Sequence, residues 1–369
     1  MSEQVKQDNL YTRLQESKLW RVVFAVGVAI ALFFVFRWAF LFMRDSGASK
    51  LTIAIVALTV GIGGIWALFA TLTNLVEVTP IRIRDRLRPW VFVLPAVLIL
   101  GTYIVFPAFR TIWISFLNRT SEEWVGLRNY VFMFTDEDML IILRNTLMWV
   151  ILVPLFSVSL GLIIAVMTDR LSDFWEKTAK SLIFLPMAIS FVGASVIWRF
   201  VYAYRPPQQA QIGLLNAIVT ALGGEPVAWI TIRPWNNLFL LVIMIWLQTG
   251  FAMVILSAAV KGVPKDLLDA ARIDGCGEIR VFFNVTVPYV SGTILTVTTT
   301  ILFLVLKIFD IVWVMTSGDF DTGIVASRMY EEAFVFRNYG RGSALAVFLF
   351  IVVIPVMIRN IRNMREQRR

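Results

Sequence analysis

The chain has 369 residues, of which 58% are hydrophobic and only 16% charged, with a mean hydropathy of +0.76. That is too little charge to cover a soluble surface, since soluble domains carry about 25% charged residues. It has no His and one Cys, Cys276, which excludes histidine catalysis, His-ligated metals, internal disulfides and Cys-held clusters. No catalytic residue, cofactor or metal is expected, and the chain reads as an integral membrane protein.

A run of about 18 or more uncharged apolar residues is long enough to cross a bilayer. In chain order the candidates are Val22–Phe36, continued past Arg37 to Met43, then Leu51–Val76, Pro89–Phe109 and Asn145–Thr168. Ser181–Trp198 follows and runs past Arg199 to Tyr204. Pro234–Val260, Val281–Leu306 and Gly342–Ile358 complete the set. This is an all-α fold with eight transmembrane helices. The first span is too long for a signal peptide, and Phe42-Met43-Arg44-Asp45 offers no small-residue cleavage site. It reads as a retained helix.

Eight spans place both termini on one side. The N-terminal tail, the loops at 77–89, 169–180 and 261–284, and the C-terminal tail hold most of the 34 Lys and Arg residues. Arg82, Arg84, Arg86 and Arg88, with Arg359, Arg362, Arg365, Arg368 and Arg369, dominate that bias. By the positive-inside rule both termini are cytoplasmic. The net charge of +9 then serves topology and anionic headgroups, and a nucleic-acid partner is not expected. Arg37 and Arg199 read as snorkelling or paired charges.

The loop at 261–284 differs from a plain connection. Pro264 suits the first position of a helix. Leu267, Leu268 and Ala271 recur at helical spacing, Asp266 and Asp269 fall in early turns that favour negative charge, and Gly275 and Gly277 end the helix. The result is a short amphipathic helix. It could enter a partner's groove, or pack on its own protein.

At these residues the sequence resembles a known family, the permeases of ABC importers. Their coupling loop has the form Glu-Ala-Ala, two residues, Asp-Gly-Ala, eight or nine residues, then Ile-x-Leu-Pro. Here Asp269-Ala270-Ala271, Asp274-Gly275-Cys276 and Val285-Thr286-Val287-Pro288 match it, with Asp269 for the usual Glu and Cys276 for the usual Ala. Val125-Gly-Leu-Arg-Asn-Tyr130 and Asn145-Thr146 are similar to carbohydrate permeases of the maltose and glycerol-phosphate type. Leu306-Lys-Ile-Phe-Asp-Ile-Val-Trp-Val-Met-Thr-Ser-Gly318 matches their seventh-span ending, although Gly318-Asp319-Phe320 stands where that group often has Gly-Gly-Pro. With Phe336-Arg-Asn-Tyr-Gly-Arg-Gly-Ser-Ala-Leu-Ala346, the likeness is to the alpha-glucoside and glucosylglycerol branch.

The resemblance covers roughly residues 90–360 and implies a half-pore in a bacterial or archaeal inner membrane. Residues 1–88 would be a cytoplasmic tail with two accessory spans, 89–360 a six-helix core, and 361–369 a basic tail. The first two spans resemble the extra pair of the maltose-type larger permease, without its large periplasmic insertion. Partners implied are a second permease, forming a heterodimer, an ATP-binding subunit dimer contacted through Asp269, Ala270, Ala271, Asp274, Gly275 and Pro288, and an extracytoplasmic sugar-binding protein. Independently, the chain has no Gly-Lys dipeptide and so no phosphate-binding Walker A loop. Any ATPase is another chain.

Sugars are held by aromatic platforms and hydrogen-bonding groups in a mostly apolar cavity. Trp246, Gln248 and Thr249 lie about 15 Å into the sixth span at the helical rise, and Gln248 would leave its amide unsatisfied against lipid. Gln248 also matches a family position that lines the sugar site. Thr298, Thr299 and Thr300 could line a cavity or bond their own helix. Lys307 and Asp310 are spaced to pair with each other, while family position puts Lys307 near the sugar. The competing class is an ion-coupled secondary transporter, which expects a titratable group at mid-membrane. No Asp, Glu or His occupies the central membrane positions, although hydroxyls and carbonyls can hold sodium.

Overall fold

The computed structural model describes residues 2–77 and 81–366. Arg82, Arg359, Arg365, Arg368 and Arg369, used above for orientation, lie outside the described side chains, as does most of the tail at 361–369. Among the described residues the fold is helical, and its one extended pairing is an isolated bridge between Leu117 and Trp124. Six helices are long and apolar enough to cross a membrane, or eight if each of two bent pairs is one span. Contacts divide the chain into two units, 1–108 and 109–369. The 88/89 boundary is drawn by likeness to a family and is a separate matter from this division.

The first unit contains α1 (Ser2–Asp45), α2 (Lys50–Glu77) and α3 (Ile81–Leu100). α1 packs on α2 and α2 on α3. Gly64 allows the first contact, since a Cβ there would lie 2.2 Å from the Phe36 ring. Only 6% of each of these spans is buried, so nearly all of their apolar surface faces outward, as lipid-facing helices require. A π turn, Gly101–Val105, leads into α4 (Phe106–Ile114). Pro107 explains the turn: its ring would clash with the carbonyl four residues back, and widening the helix to the Phe106 N–H to Gly101 O bond relieves that.

The second unit begins within α4, at Phe109, and continues with α5 (Arg128–Thr135) and α6 (Glu137–Asp169). Asp136 caps α6 by accepting from the Met139 N–H at 3.2 Å, with Glu137 and Asp138 in the first turn. α7 (Asp173–Phe184) passes through the 3₁₀ turn Leu185–Ala188 and bends by 103° into α8 (Phe191–Val201). After α9 (Leu214–Ala221) comes α10 (Asn236–Lys261), the central helix. Its span is 56% buried, because it is apolar all round and packs along α6. At the crossing, a Cβ on Gly161 would stand 2.6 Å from Ala252 Cβ and 2.8 Å from the Met253 nitrogen. Trp149, Val153 and Leu162 of α6 meet Leu240, Met244 and Leu256 of α10 in the core.

α11 (Lys265–Ile273) and α12 (Glu278–Val281) follow, then a π turn, Phe282–Thr286, before α13 (Val287–Tyr289). Pro288 repeats the device seen at Pro107, with the Val287 N–H bonded to Phe282 O. The span then bends by 72° into α14 (Ser291–Leu306). α15 (Asp310–Thr316), α16 (Val325–Tyr330), a π turn at Glu331–Val335 and α17 (Tyr339–Glu366) complete the unit.

Candidate functional site

Two places bring polar groups together in a way that suits a ligand or a partner. The first is a cavity of about 410 Å³ lined by Met187, Ile189, Ser190, Phe191, Val192, Leu247, Gln248, Leu304 and Asp310. Both of its flanking spans are interrupted here: α7 to α8 at Ile189 and Ser190, and α14 to α15 at Lys307, Ile308 and Phe309. Irregular backbone at membrane depth is tolerated only where protein or a cavity satisfies it, and transporters place binding sites at such breaks. Ser190 caps α8, its hydroxyl accepting from the Gly193 N–H at 3.1 Å. Gln248, the middle of α10, is 3% exposed, and its Oε1 is buried without a hydrogen-bond partner.

The expected pocket residues do not converge. Trp246 and Thr249 line a different, apolar groove of about 770 Å³ bounded by α6 and α7. Trp246 meets Trp198 edge-on at 5.7 Å, and Thr249 donates back to Ile245 O. A step of one or two residues turns a helix by 100° or 200°, which separates Gln248 from both. Lys307 is exposed and lines a third cavity, with Phe309, Met329 and Tyr330. Its ion pair with Asp310 does not form among the described residues. Lys307 ends α14 and Asp310 begins α15, so the three-residue spacing does not put them on one helical face. Thr298, Thr299 and Thr300 each donate to a carbonyl three or four residues back in α14. Arg37 and Arg199 are exposed and carry no ion pair among those described.

The second place is α11. Pro264 is its N-cap, one residue earlier than expected. The apolar residues split by face: Leu268 packs on the core cluster and Ala271 is half-buried, while Leu267, Ala270 and Ile273 point outward. Ile273 is 86% exposed, an unusual position for a large aliphatic chain on an otherwise charged loop. Asp274 closes the helix, its N–H bonded to Ala270 O. The following N–H groups of Gly275 and Cys276 reach Arg272 O and Ala271 O. Gly275 adopts φ +82°, the left-handed conformation that glycine takes without strain.

Asp269 does not stand free. It pairs with Arg272 at 2.9 Å, and Arg272 Nε pairs with Glu278 at 2.9 Å. Glu278 in turn binds Arg170 of the 170–172 loop at 2.6 Å. Glu278 first, then Asp269, raises the Arg272 guanidinium above its already high value. Behind this chain, Glu176 receives Lys180 and Lys261, and Lys180 also reaches Ser257. Arg272 is legible from its helical spacing to Asp269; the Arg170–Glu278 pair joins residues 108 apart, and no local pattern announces it.

Away from α11, Asn145 and Thr146, which carried part of the resemblance, meet the loop that follows α15. Asn145 donates to Asp321 O and Gly323 O, Asn236 to Phe320 O and Asn237 to Asp321 O. The Thr146 hydroxyl accepts from the Val325 N–H, and Arg233 pairs with Asp321 at 3.1 Å. These groups hold a loop in which Ser317, Gly318, Phe320 and Asp321 all have positive φ. Phe320 at +59° takes a conformation that a proline ring forbids, so a Gly-Gly-Pro ending would not fit this loop as it stands. Nearby, burial pushes the Glu331 carboxyl up despite Arg328 beside it.

The binding-protein-dependent transport system inner membrane component family matches residues 140–368. The chain belongs to this family. It is therefore a multi-pass permease component of an inner-membrane ABC importer rather than an enzyme. It is 56% identical over 276 residues to the osmoprotective compounds uptake permease protein GgtC of Synechocystis sp., covering 75% of this chain and 98% of the relative. The alpha-glucoside transport system permease protein AglF of Rhizobium meliloti is 51% identical, over 77% of this chain and 84% of the relative. Among solved structures, a bacterial ABC transporter that imports the acidic polysaccharide alginate shares the permease fold. Its TM-score is 0.65 at 19% identity, over 77% of this chain and 99% of that one.

Proposed function

We propose that this permease carries an alpha-glucoside-type sugar or glucosylglycerol by alternating access, as one half of a heterodimeric pore. Residues 89–360 form the translocating core and 1–88 an accessory tail with two spans. An extracytoplasmic binding protein delivers the sugar, and a dimer of ATP-binding subunits receives α11. The alpha-glucoside class is supported by the name of the relative at 51% identity, and the relative at 56% is named for osmoprotective compounds, a class into which a glucosylglycerol fits. The observation that carries the site is Gln248: a buried amide oxygen without a partner, at the middle of α10, beside a cavity where two spans break. A ligand hydroxyl would satisfy it. Leaving such a group unpaired costs about 1–3 kcal/mol.

The exposed Leu267, Ala270 and Ile273 face, stiffened by the Asp269–Arg272–Glu278 pairs, suits a groove in the ATPase. Both termini lie on the side of α11, in the cytoplasm. An ion-coupled transporter is not favoured by family membership. Co-expression with the neighbouring genes, purification and ATPase assay test the reading. The expected result is a co-purifying ATPase whose hydrolysis rises when a binding protein loaded with glucosylglycerol or an alpha-glucoside is added. Uptake that persists with the ATPase removed would overturn it.

A further inference from the structure

The cavity at Gln248 contains one charged residue, Asp310, and no cation. Asp310 is half-buried at the first position of α15, and among the described residues its carboxylate makes no hydrogen bond or ion pair. The other polar side chains there are Ser190, whose hydroxyl is engaged as a cap, and Gln248, whose buried Oε1 is unpartnered. A carboxylate and an amide oxygen are both acceptors, and sugar hydroxyls donate to such groups in charge-assisted bonds that are stronger than neutral ones. The remaining lining, Met187, Ile189, Phe191, Val192, Leu247 and Leu304, lowers the local polarity and strengthens the field of any charge placed among it.

From this arrangement we infer that Asp310 is a specificity-determining residue: it accepts hydroxyl protons of a neutral glycoside and rejects glycosides bearing a carboxylate or sulfonate. This rests on the carbohydrate reading of the same cavity and adds to it a residue and a sign of charge. An anionic sugar entering here would bring two like charges into an apolar pocket that supplies no counter-ion, whereas a neutral polyol loses only hydration that Asp310 and Gln248 replace. Fold likeness alone does not carry the substrate's charge.

The test uses the purified complex of both permeases with the ATPase, without binding protein, so that the cavity alone discriminates. Equilibrium binding is measured with radiolabelled glucosylglycerol and with its glucuronosyl counterpart, which differs by a carboxylate in place of a hydroxymethyl group. Wild type is expected to bind the neutral probe at least ~10-fold more tightly, a floor well below the roughly 1,000-fold that one like-charge contact at about 4 Å would give near a protein surface. Asp310→Asn should weaken the neutral probe about 3-fold or more and shrink the discrimination to about 3-fold or less, while Asp310→Glu restores discrimination. Co-purification of the ATPase with each variant reports intact assembly.

Equal binding of both probes by wild type, or discrimination unchanged in Asp310→Asn, would overturn the inference and leave the carbohydrate reading standing. Discrimination unchanged would mean that the partner permease sets the charge preference. No binding of the neutral probe by wild type, or tighter binding of glycine betaine than of either probe, would overturn the carbohydrate reading and the inference with it.

Discussion

Gly161 and Gln248 stand at opposite ends of what one residue can do in this chain. Gly161 has no side chain, and the α6–α10 crossing depends on that, because a Cβ would meet the Met253 backbone at 2.8 Å. Backbone cannot yield as a flexible side chain can. Gly161→Val should therefore destabilise the permease by about 1–3 kcal/mol, the usual range for overpacking, seen as a lower thermal midpoint of the purified complex. Gly63→Ala, where a Cβ meets nothing within 4 Å, should leave that midpoint nearly unchanged. Gln248 was readable in the sequence as a polar group amid an apolar span. The spacing of Lys307 and Asp310 predicts a pair on one helix, whereas the chain forms two there.

Elements show where a motif's residues act through backbone shape. The coupling-loop pattern was legible as a helix with a glycine stop, and α11 ends with Gly275 at φ +82°. Which side faces outward was not legible: Leu267 and Leu268 are equally apolar, and only the packing of Leu268 on the core decides that Leu267, Ala270 and Ile273 stay exposed. Proline at 275 would impose φ near −65° and remove the N–H that reaches Arg272 O. Gly275→Pro should leave membrane insertion intact while ATPase co-purification, or stimulated hydrolysis, falls at least ~10-fold. Normal coupling in that variant would mean that the loop only connects α10 to α12. The Arg170–Glu278–Arg272 chain is exposed, so solvent screens each pair and its share of stability is small; what the chain does is hold the orientation of α11.

For the whole molecule, hydropathy and charge bias state which way the chain is threaded, and that is open to direct measurement. Cys276, the single thiol, is half-buried beside α11. If α11 lies in the cytoplasm, a membrane-impermeant maleimide should label Cys276 in inverted vesicles at least ~10-fold faster than in right-side-out ones, since a bilayer excludes charged reagents. Faster labelling from the outside would reverse the assigned orientation.

The sequence by itself determined the class, the long apolar helices, the glycine-ended loop helix and the family, because each rests on composition, run length or local spacing. Tertiary structure decided which polar residues share a cavity. Gln248, Ser190 and Asp310 come together while Trp246, Thr249 and Lys307 face elsewhere. It also decided that Asn145, Asn236 and Asn237 hold one loop through its backbone carbonyls. The reason is physical: hydrophobic periodicity records whether a residue is buried, whereas helix rotation and the positions of span breaks set which neighbour it meets, and those are fixed only when helices distant in sequence pack together.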